Sequence, residues 1–101
     1  MQTEEYQITL NVPLSIEEAI VDCLLGFESE YGFSSLPVSS HDHRNTGLSL
    51  AEQVTGRQRK IRFEMYLEKS DLEQLLNRLR SEFGGSGITY RILPVLQSGS
   101  L

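Results

Sequence analysis

Ile61-Arg-Phe-Glu-Met-Tyr-Leu67, followed by Ser70-Asp-Leu-Glu73 and the stripe Leu72, Leu75, Leu76, Leu79, Phe83, decides the fold of this 101-residue chain. Ile61, Phe63, Met65 and Leu67 fall on one side of a period-2 segment, with Arg62, Glu64, Tyr66 and Glu68 on the other. That alternation predicts a strand with a single buried face. The leucines recur at steps of three and four, the spacing of one helix face. Ser70 and Glu73 have the spacing of a capping box, in which the hydroxyl takes one orphan amide and the carboxylate another. Gly84-Gly85 is the expected helix stop.

The first half of the chain runs through the same design. Tyr6-Gln-Ile-Thr-Leu-Asn-Val12 alternates apolar and polar, and Pro13 ends it because proline has no amide for the ladder. Ser15-Ile-Glu-Glu18 is a second capping box, and Ile16, Ala19, Ile20, Cys23, Leu24 and Phe27 form a second apolar stripe. Gly26 weakens the last turn. At the same distance from each capping serine a Gly-apolar pair opens the next strand, Gly32-Phe33 in one half and Gly87-Ile88 in the other. Those strands carry Leu36-Pro37-Val38 and Leu93-Pro94-Val95, so the halves repeat in pattern although few residues are identical.

Two βαβ halves of this size predict an α+β fold, a ferredoxin-like βαββαβ sandwich with two helices on one face of an antiparallel sheet. Residues 1–101 form one domain. The prolines support the same strand order: Pro37 and Pro94 fall in the second and fourth strands, the edges of this fold, where a missing amide is tolerated. Helices on one side leave Gln7, Thr9, Asn11, Arg62, Glu64, Tyr66, Arg91 and Leu93 on the other. That face is either solvated or the interior of an oligomer in which Arg62, Arg91 and Glu64 pair across subunits, since buried charges must be paired.

Composition narrows the function classes. The formal net charge is −5, with 39% hydrophobic and 23% charged residues, an ordinary soluble balance. Nucleic-acid binding is not expected, because neutralising phosphates takes a broad basic surface. No apolar run is long enough for membrane insertion, and the acidic start Met1-Gln-Thr-Glu-Glu5 is unlike a signal peptide. A lone cysteine, Cys23, excludes an internal disulfide and fits the cytoplasm, and its place on a helix stripe predicts a buried thiol. The basic residues gather instead in Ser49-Leu-Ala-Glu-Gln-Val-Thr-Gly-Arg-Gln-Arg-Lys60, which holds three of the nine, with Arg62 close behind.

That central segment, together with the ending Tyr90-Arg-Ile-Leu-Pro-Val-Leu-Gln-Ser-Gly99, closely resembles a PII-like family of short bacterial proteins of unknown function. The resemblance covers nearly the whole chain. It implies the fold of the PII nitrogen-regulatory and CutA proteins, which are homotrimers with their open sheet faces turned inward. It also implies an association with heavy-metal efflux systems. In PII proteins the connector between the second and third strands, the T-loop, docks onto a partner protein. The corresponding connector here, residues 40–56, is shorter and has no tyrosine, so uridylylation is not carried over. PII proteins hold ATP with a Gly-Asp-Gly-Lys type loop and with basic residues near the C-terminus. This chain has Gly84-Gly-Ser-Gly87 without a lysine and Gln97-Ser-Gly-Ser100 without an arginine. ATP binding is therefore not expected, and the glycines read as a helix stop.

Three candidate sites follow. Arg57, Arg59, Lys60 and Arg62, with Gly56 allowing a bulge at the strand entrance, would bind a small anionic ligand in an inter-subunit cleft or pair with Glu52, Glu64 or Glu68. His41, Asp42, His43, Arg44, Glu52 and Gln53 would contact an unidentified protein partner. His41 and His43, at i and i+2 of an extended segment, project to the same side and would share a divalent metal, with Asp42 or Glu52 adding an oxygen. No cofactor can be named from the sequence. No nucleophile–base pair is evident, so an enzyme is not expected. The leading expectation is a homotrimeric regulatory binding module, and the alternative is a CutA-like metal-binding or metal-tolerance protein.

Overall fold

The computed structural model describes residues 4–27, 32–41 and 57–101. The elements, in chain order, are β1 (Glu5–Pro13), a 3-10 turn (Leu14–Ile16), α1 (Glu17–Leu25), β2 (Phe33–His41), β3 (Arg57–Glu68), α2 (Lys69–Phe83) and β4 (Thr89–Pro94). The strands form one antiparallel sheet in the order β2-β3-β1-β4. This is the ferredoxin-like sandwich, with β1 and β3 central and the proline-bearing β2 and β4 at the edges. Pro37 lies opposite Ile61 on the edge strand, and Pro94 is the last residue of β4.

The pleat sorts the side chains as the alternation predicts. Ile8, Leu10 and Val12 of β1 and Phe63, Met65 and Leu67 of β3 are buried under the helices. They meet Ile20, Cys23 and Leu24 of α1 and Leu72, Leu75 and Leu79 of α2 in one core cluster. Ile16, Phe27, Leu76 and Phe83 pack at its margin. Ala19 is the exception in the predicted α1 stripe: it is exposed. Among the described residues the core holds no buried polar or charged side chain.

The helix starts differ from the capping-box expectation. Ser15 lies inside the 3-10 turn that carries Pro13 into α1, so the residue in the capping position is Ile16. Ser70 is the second residue of α2, preceded in the capping position by the extended Glu68. Neither helix has a side-chain capping bond. In both cases helical turns begin one or more residues before the serine, which leaves its hydroxyl too far into the helix to reach the orphan amides. The acidic first turns, Glu17 and Glu18 in α1 and Asp71 in α2, still favour the positive end of the helix dipole.

The α2 stop is as expected from its glycines. The Gly84 amide bonds the Arg80 carbonyl at 3.1 Å, and a Cβ at Gly84 would lie 2.6 Å from that same oxygen. Gly85 follows with φ +79, a left-handed conformation that other residues rarely adopt. This turn aims the chain into β4 along the edge of β1.

Candidate functional site

The sheet face away from the helices is where the sequence-marked polar residues converge. In register, Thr89, Asn11, Arg62 and Leu36 form one row across the four strands, and Arg91, Thr9, Glu64 and Ser34 form the next. Leu93, Gln7 and Tyr66 make a third row on β4, β1 and β3. All eight residues expected on the open face are therefore on it. With Thr89 and Tyr90, and without Tyr66, they line a depression of about 400 Å³. Leu36, Tyr66 and Leu93 are exposed there at 40, 38 and 47%, a high apolar content for a sheet surface that meets only water.

Charge on this face is partly organised within the chain. The Arg62 guanidinium donates from Nε to Asn11 Oδ1 at 3.0 Å, along the direct cross-strand pairing of the two residues. Arg62 is thereby fixed on the sheet. By contrast, the Arg91 guanidinium and the half-buried Glu64 carboxylate make no hydrogen bond or ion pair with a described residue. The exposed Arg78–Glu82 pair of α2 is an ion pair, Nε to Oε1 at 3.1 Å. Thr9 stands between Arg91 and Glu64 in their row. Two strand spacings put their backbones about 10 Å apart.

The basic segment is divided by the pleat of β3, which begins at Arg57, earlier than the Ile61 start read from alternation alone. Lys60 and Arg62 share the open face with Glu64, whereas Arg59 shares the side of Ile61 and Phe63 and lies opposite Ser39. Arg57 lies opposite His41, the last residue of β2, at the head of the β2–β3 hairpin. The hairpin extends beyond β1, whose final pair is Pro13 with Lys60. His41 is exposed there. Gly56, Asp42, His43, Arg44, Glu52 and Gln53 lie outside the described residues, so all of the candidate docking segment after His41, the second histidine included, lies outside them too. Among the described residues no three of His, Cys, Asp and Glu are grouped to hold a metal.

A second cavity was not anticipated. After β4 the Val95 amide bonds the Glu5 carbonyl at 3.0 Å, and the residues that follow come near the start of β2. Gln97, Ser98, Gly99 and Ser100 line, with Gly32, Phe33, Ser34, Glu64 and Tyr66, a depression of about 520 Å³ that also touches Glu5 and Val95. Glu64 thus lines both depressions, and the tail forms one wall of the second. No periodicity marks the tail in the sequence, so its path could not be read there.

An antiparallel βαββαβ sandwich with an uncovered, mixed-charge sheet face and a long β2–β3 hairpin is a fold shared with PII-like and CutA structures. The chain belongs to the DUF3240 family, a family described as of unknown function, whose model matches residues 2–101. A DUF3240 family protein from Shewanella baltica superposes with a TM-score of 0.78 at 25% identity, covering 100% of this chain and 99% of that one. CPII, a nitrogen regulatory PII-like protein from Thiomonas intermedia bound to ADP, AMP and bicarbonate, superposes with a TM-score of 0.70 at 11% identity, covering 97% of each chain. The periplasmic divalent cation tolerance protein CutA from Archaeoglobus fulgidus gives 0.67 at 10% identity, over 93% of this chain and 86% of that one. These last two likenesses establish the shared fold. No curated protein is a significant match to the sequence. No described helix is long and apolar enough to cross a membrane.

Proposed function

We propose that the protein is a PII-like homotrimeric regulatory binding module of the cytoplasm, without enzymatic activity. The observation that carries this reading is the open sheet face. It combines exposed Leu36, Tyr66 and Leu93 with both signs of charge, in the fold shared with CPII. Three such faces turned inward would cover the apolar residues and let the charges pair. The connector of residues 40–56 docks onto the partner protein. A small anionic ligand sits in the cleft between subunits, held by Lys60 and Arg62 on the open face, with Arg57, Arg59 and Gly56 at its hairpin end.

Light scattering on the purified protein tests the assembly, with a trimer mass expected at micromolar concentration and a monomer mass overturning it. Calorimetry with bicarbonate, citrate, AMP and ADP tests the ligand site. Binding that is lost in Lys60→Ala/Arg62→Ala is expected, and no heat from any of them removes the anionic-ligand part. Deletion of residues 42–54 is expected to abolish partner capture while leaving the trimer intact.

A second reading, divalent-metal binding in the manner of the CutA protein, is supported by the exposed position of His41 at the end of β2 and by the fold shared with CutA. Copper, zinc, nickel and cobalt titrations on wild type and His41→Ala/His43→Ala separate it from the first. Identical heats in the two proteins would remove it.

A further inference from the structure

We propose that Arg91 of one copy inserts into the tail-lined depression of the next and pairs there with Glu64, fixing the register of the ring. This rests on the assembly proposed above and names the contact that closes it. Arg91 and Glu64 are the two charged members of a single row, Arg91–Thr9–Glu64–Ser34, and neither pairs with a described residue. Arg62, the other cation central to this face, is already held by Asn11. Lys60 lies two residues beyond it on β3, opposite Pro13.

The row has a cation on edge strand β4 and an anion one strand in from the opposite edge. A rotation axis running along the strands in front of the face keeps each row at its own height. It also brings the β4 edge of one copy against the β2–β3 side of its neighbour. Arg91 then approaches Glu64 past Ser34, whose short side chain is the outermost of the row and leaves the carboxylate accessible. Such head-to-tail contacts close into a ring rather than a two-fold dimer.

The depression suits a guanidinium. Glu64 supplies a carboxylate for a charge-assisted pair, Tyr66 supplies aromatic surface, and Gln97 to Ser100 supply hydroxyl, amide and backbone groups. Its lining contains no lysine or arginine to oppose the charge. The pairing also answers an electrostatic difficulty. Copies of a chain with net charge −5 repel one another, and a matched cation–anion contact in each interface offsets that repulsion where the copies touch.

The test is sedimentation equilibrium across a concentration series for wild type, Arg91→Glu, Glu64→Arg and the reciprocal double variant. Circular dichroism of each, at a concentration where all are dissociated, checks folding. Each single reversal is expected to raise the half-dissociation concentration about tenfold or more, and the double reversal to return it to near the wild-type value. Wild-type assembly left unchanged by both single reversals overturns this pairing while the trimer stands. Single reversals that weaken assembly with no recovery in the double variant also overturn it. A wild type that stays monomeric throughout overturns the assembly itself.

Discussion

Cys23 is 3% exposed in the core, and burial pushes its thiol pKa up, with the Arg78 guanidinium partly opposing and Glu82 adding to the rise. The sign of its effect on stability follows from which state holds the proton. Below about pH 8.5, the ordinary thiol value, folded and unfolded chains both keep it. Above that, the unfolded chain releases its proton while the folded chain retains it, so stability falls as pH rises until the folded value is passed. Urea midpoints between pH 8 and 10 are expected to decline more steeply for wild type than for Cys23→Ala. Tyr6, raised by its bond to Glu4, titrates in both proteins and cancels in the comparison. Iodoacetamide should modify Cys23 slowly until urea is added. Phe63 is the larger structural commitment. It is 1% exposed, with the Phe33 ring 6.1 Å away and tilted by 56°. Phe63→Ala should cost about 3–5 kcal/mol in chemical denaturation, the range for an emptied aromatic core site.

At the scale of elements, the strands and helices were legible because each obeys one period along its whole length. β3 shows its two faces in Ile61 to Glu68, and α2 its buried stripe in Leu72, Leu75 and Leu79. The strand order was legible through Pro37 and Pro94, whose missing amides exclude them from central ladders. What failed was local: both capping boxes were read where helical turns already run through the serine. A box is defined by four residues, whereas the start of a helix depends on how the preceding strand turns onto the sheet. Pro13 enters a 3-10 turn, and Glu68 passes directly into α2. Ser15→Ala and Ser70→Ala are therefore expected to change stability by under ~0.5 kcal/mol, against the ~1 kcal/mol of a lost cap. Thermal or urea denaturation of the two variants measures the difference. The site was legible to the same degree. The open-face residues follow from alternation, but the division of Arg59 from Lys60 and Arg62 needed the true extent of β3. The tail cavity needed the fold itself.

For the whole molecule, the assembly proposed through the uncovered sheet face would make association a part of stability. If three chains fold and associate together, the unfolding equilibrium produces three unfolded chains from one particle, and its midpoint depends on concentration. Each tenfold increase in protein should stabilise a protomer by two-thirds of RT ln 10, about 0.9 kcal/mol. For a domain of this length that corresponds to a rise in Tm of about 4–7 °C per tenfold. Scanning calorimetry from about 5 to 500 μM covers two such steps and reads the slope directly. Arg91→Glu should lie on a flatter line at low concentration, where it is already dissociated, and recover the wild-type slope only at higher concentration. Salt separates the electrostatic part from the apolar part. Raising ionic strength shortens the screening length from about 10 Å at 0.1 M to about 3 Å at 1 M. The wild-type midpoint should therefore fall most where half-dissociation lies within the scanned range, while burial of Leu36, Tyr66 and Leu93 keeps the slope from vanishing. A midpoint independent of concentration over the whole range would mean that the chain is stable alone and that its open face is a surface for some other partner.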